Sequence, residues 1–448
     1  MPQENKKKER VKKMIKFGKW VVKFRIPILI LSFLLLIPTG IIYMNTRINY
    51  DILSYLPGDI ETMKGQDILL DEFGTGAFSV AVIDGMQEKE ISQLEDKLKE
   101  IDHVKDVLWY GALADISIPM DMLPDDLKDS LQNADTGSQL MIITFDTSMS
   151  ADETLDAIEE IRGLTNEQCL LSGMSAVVTD IKKICNSEVI MYVVIAAGLS
   201  ALVLALTMDS FLLPFIFLLS IGMAIVYNLG TNFIAGEISF VTQALAAVLQ
   251  LAVTMDYSIF LWHSYLENQE RYPDDRKRAM SHAISQTLTS VVGSSITTIA
   301  GFLAMCFMTF TLGMDLGVVM AKGVVFGVIG CVTILPSMIL AMDKWIEKTR
   351  HKAIIPDLGR IGGFVTKHYW IFIILFLVII GPAFYGQNHN QVYYDLMGTL
   401  PDNLESVKAG NALENDFDMG ATHVILASSD LNSKDARNLE NEISDVDG

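Results

Sequence analysis

One carboxylic acid and the tyrosine beside it are the residues of this sequence best placed to do chemistry. Asp256 and Tyr257 lie near the middle of an apolar run, VTQALAAVLQLAVTMDYSIFLWHSYLE, at 241–267. About 20 apolar residues cross a bilayer, so this run is long enough to span one. An ionisable side chain at that depth is costly and usually lines an ion or substrate path. Apolar residues on both sides argue that Asp256 does not simply reach water at a helix end.

A second run places hydroxyl groups at helical spacing. In SVVGSSITTIAG, the positions that recur on one face are Ser290, Ser294, Thr297 or Thr298, and Gly301. Such a stripe of small residues is typical of close helix packing in membranes. The same hydroxyls would also form a track that brings water to Asp256. The two interpretations are compatible, and both stay open.

Membrane-spanning helices are the elements that must position these side chains. Half of the 448 residues are hydrophobic, and they are concentrated in blocks that a soluble core would not need. Seven candidate spans occur, at about 26–44, 189–206, 211–230, 240–262, 290–310, 316–341 and 364–385. The first is too long for a cleavable signal peptide and is followed by further spans. The sequence therefore predicts an α-helical polytopic membrane protein.

Lysine and arginine indicate how these spans are oriented. Basic residues are dense from Lys6 to Arg25, in the loop after the fourth span and in the loop after the sixth. The positive-inside rule makes these segments cytoplasmic, which puts 46–188 and everything after 386 outside the cell membrane. Most of the net charge of −20 falls in those outer segments. That acidity suits a solvated domain and argues against a nucleic-acid partner.

The segment between the first two spans has the pattern of an α+β domain. Strands are predicted at 78–83, 104–110, 139–145 and 168–171, and helices at 88–101 and 150–162. Ser150 and Glu153 have the spacing of a capping box that opens the second helix. An inserted acidic helix is predicted at 124–131. The order β-α-β-β-α-β is that of a ferredoxin-like sandwich.

These patterns divide the chain into seven segments. They are a basic cytoplasmic N-terminus (1–25), the first span (26–45), the extracytoplasmic domain (46–188), a five-helix bundle (189–342), a cytoplasmic linker (343–363), the seventh span (364–385) and a final extracytoplasmic segment (386–448). Short connections within 189–342 make consecutive helices antiparallel neighbours, which predicts one compact bundle.

Other ionisable residues give weaker signals. Lys322 lies about two turns from the outer end of its span, where snorkelling to water explains it better than pairing with Asp256. Glu237 has the position of a solvated acid before a helix. His263 and His282 have no second ligand at metal spacing. No metal, cofactor or catalytic residue is expected, and the protein is not expected to be an enzyme.

An internal repeat indicates how the whole chain is organised. The segment Tyr50-Asp51-Ile52-Leu53-Ser54-Tyr55-Leu56-Pro57 returns 344 positions later (394 − 50) as Tyr394-Asp395-Leu396-Met397-Gly398-Thr399-Leu400-Pro401. Pro38 and Pro382 match at the same offset. The segment 362–448 is therefore predicted to begin a second copy, and the sequence is expected to be the N-terminal part of a two-repeat protein. A counterpart of Asp256 is then expected near position 600 (256 + 344).

At these residues the sequence resembles the resistance-nodulation-division (RND) superfamily, and within it the MMPL-type branch. The segment LQLAVTMDYSIFLWHSYLE, at 249–267, is similar to that branch's fourth helix with its Asp-Tyr pair. The segment TLTSVVGSSITTIAGFLA, at 287–304, resembles its fifth helix. The likeness covers essentially the whole chain. One departure is that a second Asp-Tyr pair, which this branch takes from its tenth helix, lies outside this sequence.

The resemblance implies a transporter, driven by the proton gradient, that exports lipids or other amphiphilic molecules through external porter domains. Asp256 would carry the proton, and Tyr257 would hydrogen-bond within the relay. The five-helix bundle matches the position of a sterol-sensing unit in related proteins. Expected partners are the lipid or amphiphilic substrate and the second half of the same chain, and a homo-oligomer is left open.

Two other functions remain open on the sequence. One is a protein-export accessory of the same superfamily, which would share the fold and push polypeptide. The other is a lipid sensor or scaffold that keeps the fold without transporting. Proton coupling through Asp256 would separate a transporter from a sensor, and a copurifying lipid would separate a lipid exporter from a protein exporter.

Overall fold

The computed structural model describes residues 2–109, 132–133, 136–166, 168–351, 359–390, 397–420, 425–427 and 432–444. The chain divides into a helical unit and a mixed α/β unit. The helical unit joins Met1–Tyr55 with Ile184–Asp395, and the mixed unit joins Leu56–Lys183 with Leu396–Gly448. The acidic helix predicted at 124–131 lies outside the described residues. The sidedness of each segment stays a prediction.

Helices account for most of the described chain. They are α1 (Pro2–Lys23), α2 (Arg25–Met44), α3 (Glu61–Asp71), α4 (Glu88–Leu98), α5 (Asp152–Leu164), α6 (Met174–Thr207), α7 (Leu213–Gly230), α8 (Phe240–Arg271), α9 (Arg276–Ala304), α10 (Leu312–Ile329), α11 (Leu335–Lys348), α12 (Gly359–Lys367), α13 (Tyr369–Asn388), α14 (Glu405–Phe417) and α15 (Ser433–Ser444). The strands are β1 (Arg47–Asn49), β2 (Ala77–Ile83), β3 (Val104–Leu108), β4 (Gln139–Phe145), β5 (Cys169–Ser172) and β6 (Glu237–Ser239).

Seven helical segments in the described residues are long and apolar enough to cross a membrane, as the hydropathy predicts. Their bounds run further than the apolar blocks do. The fifth span, predicted from 290, begins at Arg276. Hydropathy detects only the apolar part of a helix, whereas backbone hydrogen bonds carry the helix on into polar sequence. A π-helical turn at Gly330–Ile334 joins α10 to α11 and makes one span of Leu312–Lys348.

The helical unit is held together by an apolar core between its spans. Phe217, Leu261 and Ile284 contribute from α7, α8 and α9, and each is fully buried. Val21 and Val22 of α1 are part of the same core. A short parallel pairing of β1 with β6 lies beside the start of α8. The start of α8 is therefore fixed by strand pairing as well as by helix packing.

The mixed unit contains the predicted ferredoxin-like sheet. Its strand order is β3-β4-β2-β5, and every neighbouring pair is antiparallel. The helices α4 and α5 bury Ile91, Leu98 and Ile158 against one face of the sheet. The capping box predicted at Ser150 and Glu153 is wrong, because Ala151 occupies the N-cap position of α5.

Helix α14 covers the other face of this sheet. Leu413 packs with Val80, Val82 and Leu140, which point away from the main core of the unit. Because side chains alternate along a strand, β2 contributes apolar residues to both faces. The mixed unit therefore contains a helix that comes from the second sequence repeat.

An ion-pair group fixes α14 at its N-terminus. Arg162 forms two hydrogen bonds to the buried carboxylate of Asp180, of 2.7 and 3.1 Å, and its Nε lies 3.2 Å from a Glu405 oxygen. The Ser406 amide donates to Asp180 over 3.2 Å. Two carboxylates that would repel each other are joined by one guanidinium, which explains how Asp180 can be buried.

The two sequence copies also match as structures. Helices α2 and α13 begin at Arg25 and Tyr369 and end at Met44 and Asn388, so both bounds are 344 residues apart. Each contains one internal proline, Pro38 or Pro382. Helices α3 and α14 likewise begin 344 residues apart, at Glu61 and Glu405. The repeat is thus visible in the helix bounds, as the sequence predicts.

Candidate functional site

The candidate site is built on α8, which is anchored where it begins. Ser239 caps the helix, and its side chain accepts from the Val241 amide over 3.1 Å. The Asp315 carboxylate of α10 accepts from the Ser239 amide over 2.9 Å and from the Thr242 hydroxyl over 2.6 Å. A negative charge at a helix N-terminus is favourable. These bonds fix the rotation of α8 about its axis, and therefore which residues face outward.

The Asp-Tyr pair is divided between two sides of α8. The side chain of Asp256 is exposed on the surface of the helical unit, near the middle of the helix. Tyr257 is 5% exposed and belongs to the core. Consecutive helical residues point about 100° apart, so one residue of such a pair can face out while the next faces in. The proton-carrying role of Asp256 and the relay role of Tyr257 remain predictions.

Helix α9 brings its hydroxyl groups to the level of Asp256. The hydroxyl of Ser264 in α8 donates to Gln286 in α9 over 2.7 Å. Asp256 and Ser294 each lie eight residues further into the membrane (264 − 256 and 294 − 286). Since the two helices are antiparallel neighbours, both residues lie about 12 Å beyond that contact. Gln286 also contacts Asn268, one turn from Ser264. The structure therefore places Asp256 and Ser294 within about one helical turn of the same level.

The other predicted hydroxyl residues lie on the same helix. Ser290 and Ser294 are exposed, and Thr298 is half-buried. The Thr298 hydroxyl donates to the Ser294 carbonyl over 3.2 Å. A Cβ added at Gly301 would meet nothing within 4 Å among the described residues. The described residues do not pack closely against this stripe. Its two predicted roles, packing against a further helix and forming a water track, therefore both stay open.

A second polar feature of α8, which the sequence analysis did not identify, lies inside the helical unit. Thr242, Gln250, Thr254 and Ser258 are each no more than 2% exposed. We call these four residues the interior polar stripe. Their spacing of four or eight residues puts them along one side of the helix. This spacing could have predicted the stripe from the sequence. It is easily overlooked because the residues between these four are mostly apolar.

The interior polar stripe contacts polar groups on α7 and glycines on α10. Asn228 donates to Gln250 over 3.0 Å, and both side chains are at least 98% buried. A Cβ at Gly323 would lie 2.7 Å from the Asn228 amide nitrogen, and one at Gly327 would lie 2.5 Å from the Thr254 hydroxyl. Glycine at both positions is what lets α10 approach the polar side chains.

The structure also places two other ionisable residues of the sequence analysis, Lys322 and Glu237. Lys322 is half-buried and donates to Asn232, while the charge of Asp315 also acts on it. The pairing of Lys322 with Asp256, which the sequence did not favour, is not formed. Glu237 lies in β6, where it accepts from Asn49 over 2.9 Å. Glu237 is therefore a partly exposed strand residue just before α8, with a side-chain partner.

The opposite end of α8 is tied to the connections between other spans. The indole of Trp262 donates to Asp209 over 3.0 Å, and Arg350 lies 3.2 Å from the same carboxylate. Arg276 at the start of α9 bonds Asp343 and, over 3.0 Å, Glu347. Asp256 therefore lies between two ends of α8 that are both held by specific contacts.

An apolar crevice opens on α8 within the same unit. It has a volume of about 100 Å³ and lies between α6, α7 and α8. Ala196 and Ala197 of α6, Gly222 of α7 and Ala247 of α8 are among the small residues that line it. An apolar cavity of ~150 Å³ is enough to hold benzene. The crevice is smaller than that cavity, so it would admit only a short length of hydrocarbon.

The sequence profile of the MMPL family matches residues 74–368. The match covers well over half of the 448 residues and includes α8 and α9 entire. The chain belongs to the MMPL family. The resemblance stated from the sequence, to the MMPL-type branch of the RND superfamily, is confirmed. The predicted fold class is also confirmed. The structure has seven candidate spans and a small sheet domain that is consistent with a porter domain.

The relatives that this chain matches are distant and longer. MmpL12 of Mycobacterium tuberculosis, named as a probable transport protein, is 24% identical over 370 residues, which are 79% of this chain and 30% of that protein. The membrane protein YdgH of Bacillus subtilis is 22% identical over 409 residues, 85% of this chain and 44% of that protein. The chain thus spans less than half the length of either relative.

A solved structure of SecDF in its super-membrane-facing form gives a weaker likeness. The match covers 73% of this chain and 39% of that chain, with 13% sequence identity and a TM-score of 0.38.

Proposed function

We propose that this chain is part of a transporter, driven by the proton gradient, that exports lipids or other amphiphilic molecules. The observation that carries the proposal is the exposed carboxylate of Asp256 in the middle of a membrane span. A charge in that position is expensive unless it is neutralised or paired. A group that gains and loses a proton there can bias two arrangements of the helices, because one charge crossing 100 mV supplies about 2.3 kcal/mol.

The neighbouring residues support a proton-carrying role. Ser290 and Ser294 are exposed hydroxyls on the adjoining helix, and Ser294 lies within about one helical turn of the level of Asp256. They can hold water that delivers the proton. Tyr257 remains in the proposal as the residue that hydrogen-bonds within the relay. Its burial indicates that its ring also supports the packing of α8.

The apolar crevice supports the choice of a lipidic substrate. It opens between α6, α7 and α8, and its lining is almost entirely hydrocarbon. An acyl chain entering from the bilayer would be held there by van der Waals packing, because lipid tail and lining are equally apolar. Because α8 also carries Asp256, a proton-driven change in the packing of α6 and α7 against that helix would change the shape of the crevice. Proton binding and substrate release would then be coupled through one helix.

Transport in lipid vesicles, by a chain that carries both sequence copies, tests the proposal. Lipids that copurify with the protein are identified by mass spectrometry, and their transfer is followed under an imposed pH gradient. Asp256→Asn keeps the size of the side chain and removes the titratable proton, so transfer should fall to background. Tyr257→Phe should lower transfer less, because water can replace part of what the phenol does.

Glu267→Gln is the matched control for Asp256→Asn. Glu267 lies on the same helix, is 58% exposed and pairs with Arg271 near the helix end. Its neutralisation should leave transfer unchanged. Wild-type transfer by Asp256→Asn would refute the proton-carrying role. If no lipid copurifies and none is transferred, lipid export is refuted and a protein-export or sensing role becomes preferred.

A further inference from the structure

Positive charge converges from three helices at one end of the membrane spans. Lys19 of α1, Arg271 at the end of α8 and Arg278 at the start of α9 all lie close enough to His282 for their charges to act on it. Tyr272 stacks on His282 with ring centroids 5.2 Å apart, and Arg278 lies 4.4 Å from the Tyr272 ring centre. Like charges repel, so gathering them at one place is unfavourable without an anion.

Helix α1 extends this positive surface. Its exposed lysines that the structure describes are Lys12, Lys13, Lys16, Lys19 and Lys23. None of these five forms an ion pair with any described residue. Together with Arg271, Arg278 and His282 they make up what we call the basic patch. Two acids beside the patch are engaged within the chain, because Glu267 pairs with Arg271 over 2.8 Å and Asp275 caps α9.

Packing on its other side holds α1 in this position. Val21 is fully buried in the core of the helical unit, and Val22 nearly so. A Cβ at Gly18 would lie 2.3 Å from the Ser281 carbonyl oxygen, so the backbones of α1 and α9 are in close contact there. The lysines therefore project from a fixed helix, and their common orientation does not depend on an outside partner.

The basic patch lies next to the start of the first span, at the level of the membrane surface. Helix α1 ends at Lys23, and the first span begins two residues later at Arg25. Aromatic side chains accompany the charges, since Trp20 is 50% and Phe24 is 37% exposed. Their rings lie 5.5 Å apart. Exposed tryptophan next to lysine is typical of the border between headgroups and hydrocarbon.

We propose that the basic patch binds the phosphate headgroups of anionic phospholipids in the leaflet that it faces. Lysine and arginine supply the donors and the charge, and Trp20 and Phe24 enter the edge of the hydrocarbon. A nucleic acid or an acidic peptide would match the charge and would leave these two rings exposed to water. Each lysine near an anionic surface contributes about 1 kcal/mol, which is roughly five-fold in affinity.

The fluorescence of Trp20 tests this binding in the whole protein. The protein is reconstituted with brominated phosphatidylglycerol or brominated phosphatidylcholine, and the signal of Trp20→Phe is subtracted as background. At low salt, phosphatidylglycerol should compete for the site at least about five-fold better than phosphatidylcholine. Replacing Lys12, Lys16, Lys19 and Lys23 with glutamine should remove most of this preference. Replacing Lys344 and Lys348 with glutamine is the control and should leave it unchanged.

Several results would overturn the proposal. Equal quenching by the two lipids in wild type excludes a headgroup preference, and absence of quenching by either means that protein covers the patch. Loss of the preference on adding inorganic phosphate at constant ionic strength assigns the site to a free anion. If the four-lysine variant does not fold, raising the salt tenfold on wild type still tests the claim, because screening should remove most of the preference.

Discussion

Asp256 and Tyr257 are adjacent in the sequence, yet Asp256 is exposed on the surface of the helical unit while Tyr257 is 5% exposed within its core. The contacts of Asp315 with Thr242 and of Asp209 with Trp262, on either side of this pair in α8, hold this orientation. A carboxylate on the outer surface of a span needs a partner or a proton, because bare charge in hydrocarbon is costly. The matching helix of a second copy is the natural cover for this surface.

We predict that the surface around Asp256 contacts the second copy's matching helix. Cysteine at 256 should cross-link to cysteine near position 600 (256 + 344) in a chain that carries both copies. The cross-linked band is measured after oxidation in membranes. Thr254→Cys is the control, since Thr254 is 2% exposed and faces the interior. A link from 254 without one from 256 would reverse the predicted orientation of α8.

We predict that Gly327→Ala destabilises the helical unit through a clash with Thr254. The added Cβ would lie 2.5 Å from the Thr254 hydroxyl oxygen, which is overpacking of the kind that costs about 1–3 kcal/mol. The thermal unfolding midpoint in detergent should fall. Adding Thr254→Ala should restore much of the loss.

Gly198→Ala is the control for that clash, because nothing lies within 4 Å of the new Cβ among the described residues. Equal losses in Gly198→Ala and Gly327→Ala would mean that flexibility of the glycine, not contact with Thr254, sets the effect.

A pH dependence follows from Asp51, which is 4% exposed. Burial raises the pKa of its carboxyl above the ordinary 3.8, against the smaller effect of hydrogen bonds from the Leu53 and Ser54 amides. The folded state therefore holds the proton more tightly than the unfolded state does. Stability should decrease as the pH rises from 3.8 through the folded pKa.

Asp51→Asn should abolish this part of the pH dependence, because asparagine is neutral throughout and can still accept a hydrogen bond. Unfolding midpoints of the variant and wild type should diverge as the pH rises above 3.8. Asp59→Asn, at an exposed position, should follow wild type. Parallel curves for Asp51→Asn and wild type would contradict the prediction.

The ion-pair group of the mixed unit gives a stability prediction. Arg162→Leu leaves the Asp180 carboxylate, whose side chain is 4% exposed, without its guanidinium. Removing one partner of a buried pair costs about 3–5 kcal/mol. The unfolding midpoint should fall, and protease should cut more readily near α14. Asp180→Asn in the same chain should recover part of the loss, which a purely steric effect of Arg162→Leu would not allow.

Sidedness can be tested with an impermeant thiol reagent on whole cells. Cysteine at Lys89, exposed in the mixed unit, should be labelled, whereas cysteine at Lys277 should not. Native Cys169 is a poor probe, since it is 2% exposed and burial raises its pKa to about 12. Labelling at Lys277→Cys without labelling at Lys89→Cys would invert the proposed orientation.

The sequence by itself determined the spans, the strand order and the repeat. Hydropathy reflects the cost of placing polar groups in a bilayer. Periodicity and the 344-residue offset are patterns along the chain itself. Those terms can be evaluated without knowing which helices are neighbours. The equal offsets of α2 from α13 and of α3 from α14 show how much of the structure such local rules fix.

Only the tertiary structure decided which polar groups meet. Gln250 finds Asn228 on α7, and Thr242 finds Asp315 on α10. Periodicity shows that these residues share a side of α8, but the partner is chosen by the packing of α8 against its neighbours. The docking of α14 on the sheet is decided in the same way. Arg162 and Glu405 are far apart in the sequence, and they meet because α14 buries apolar surface against the sheet.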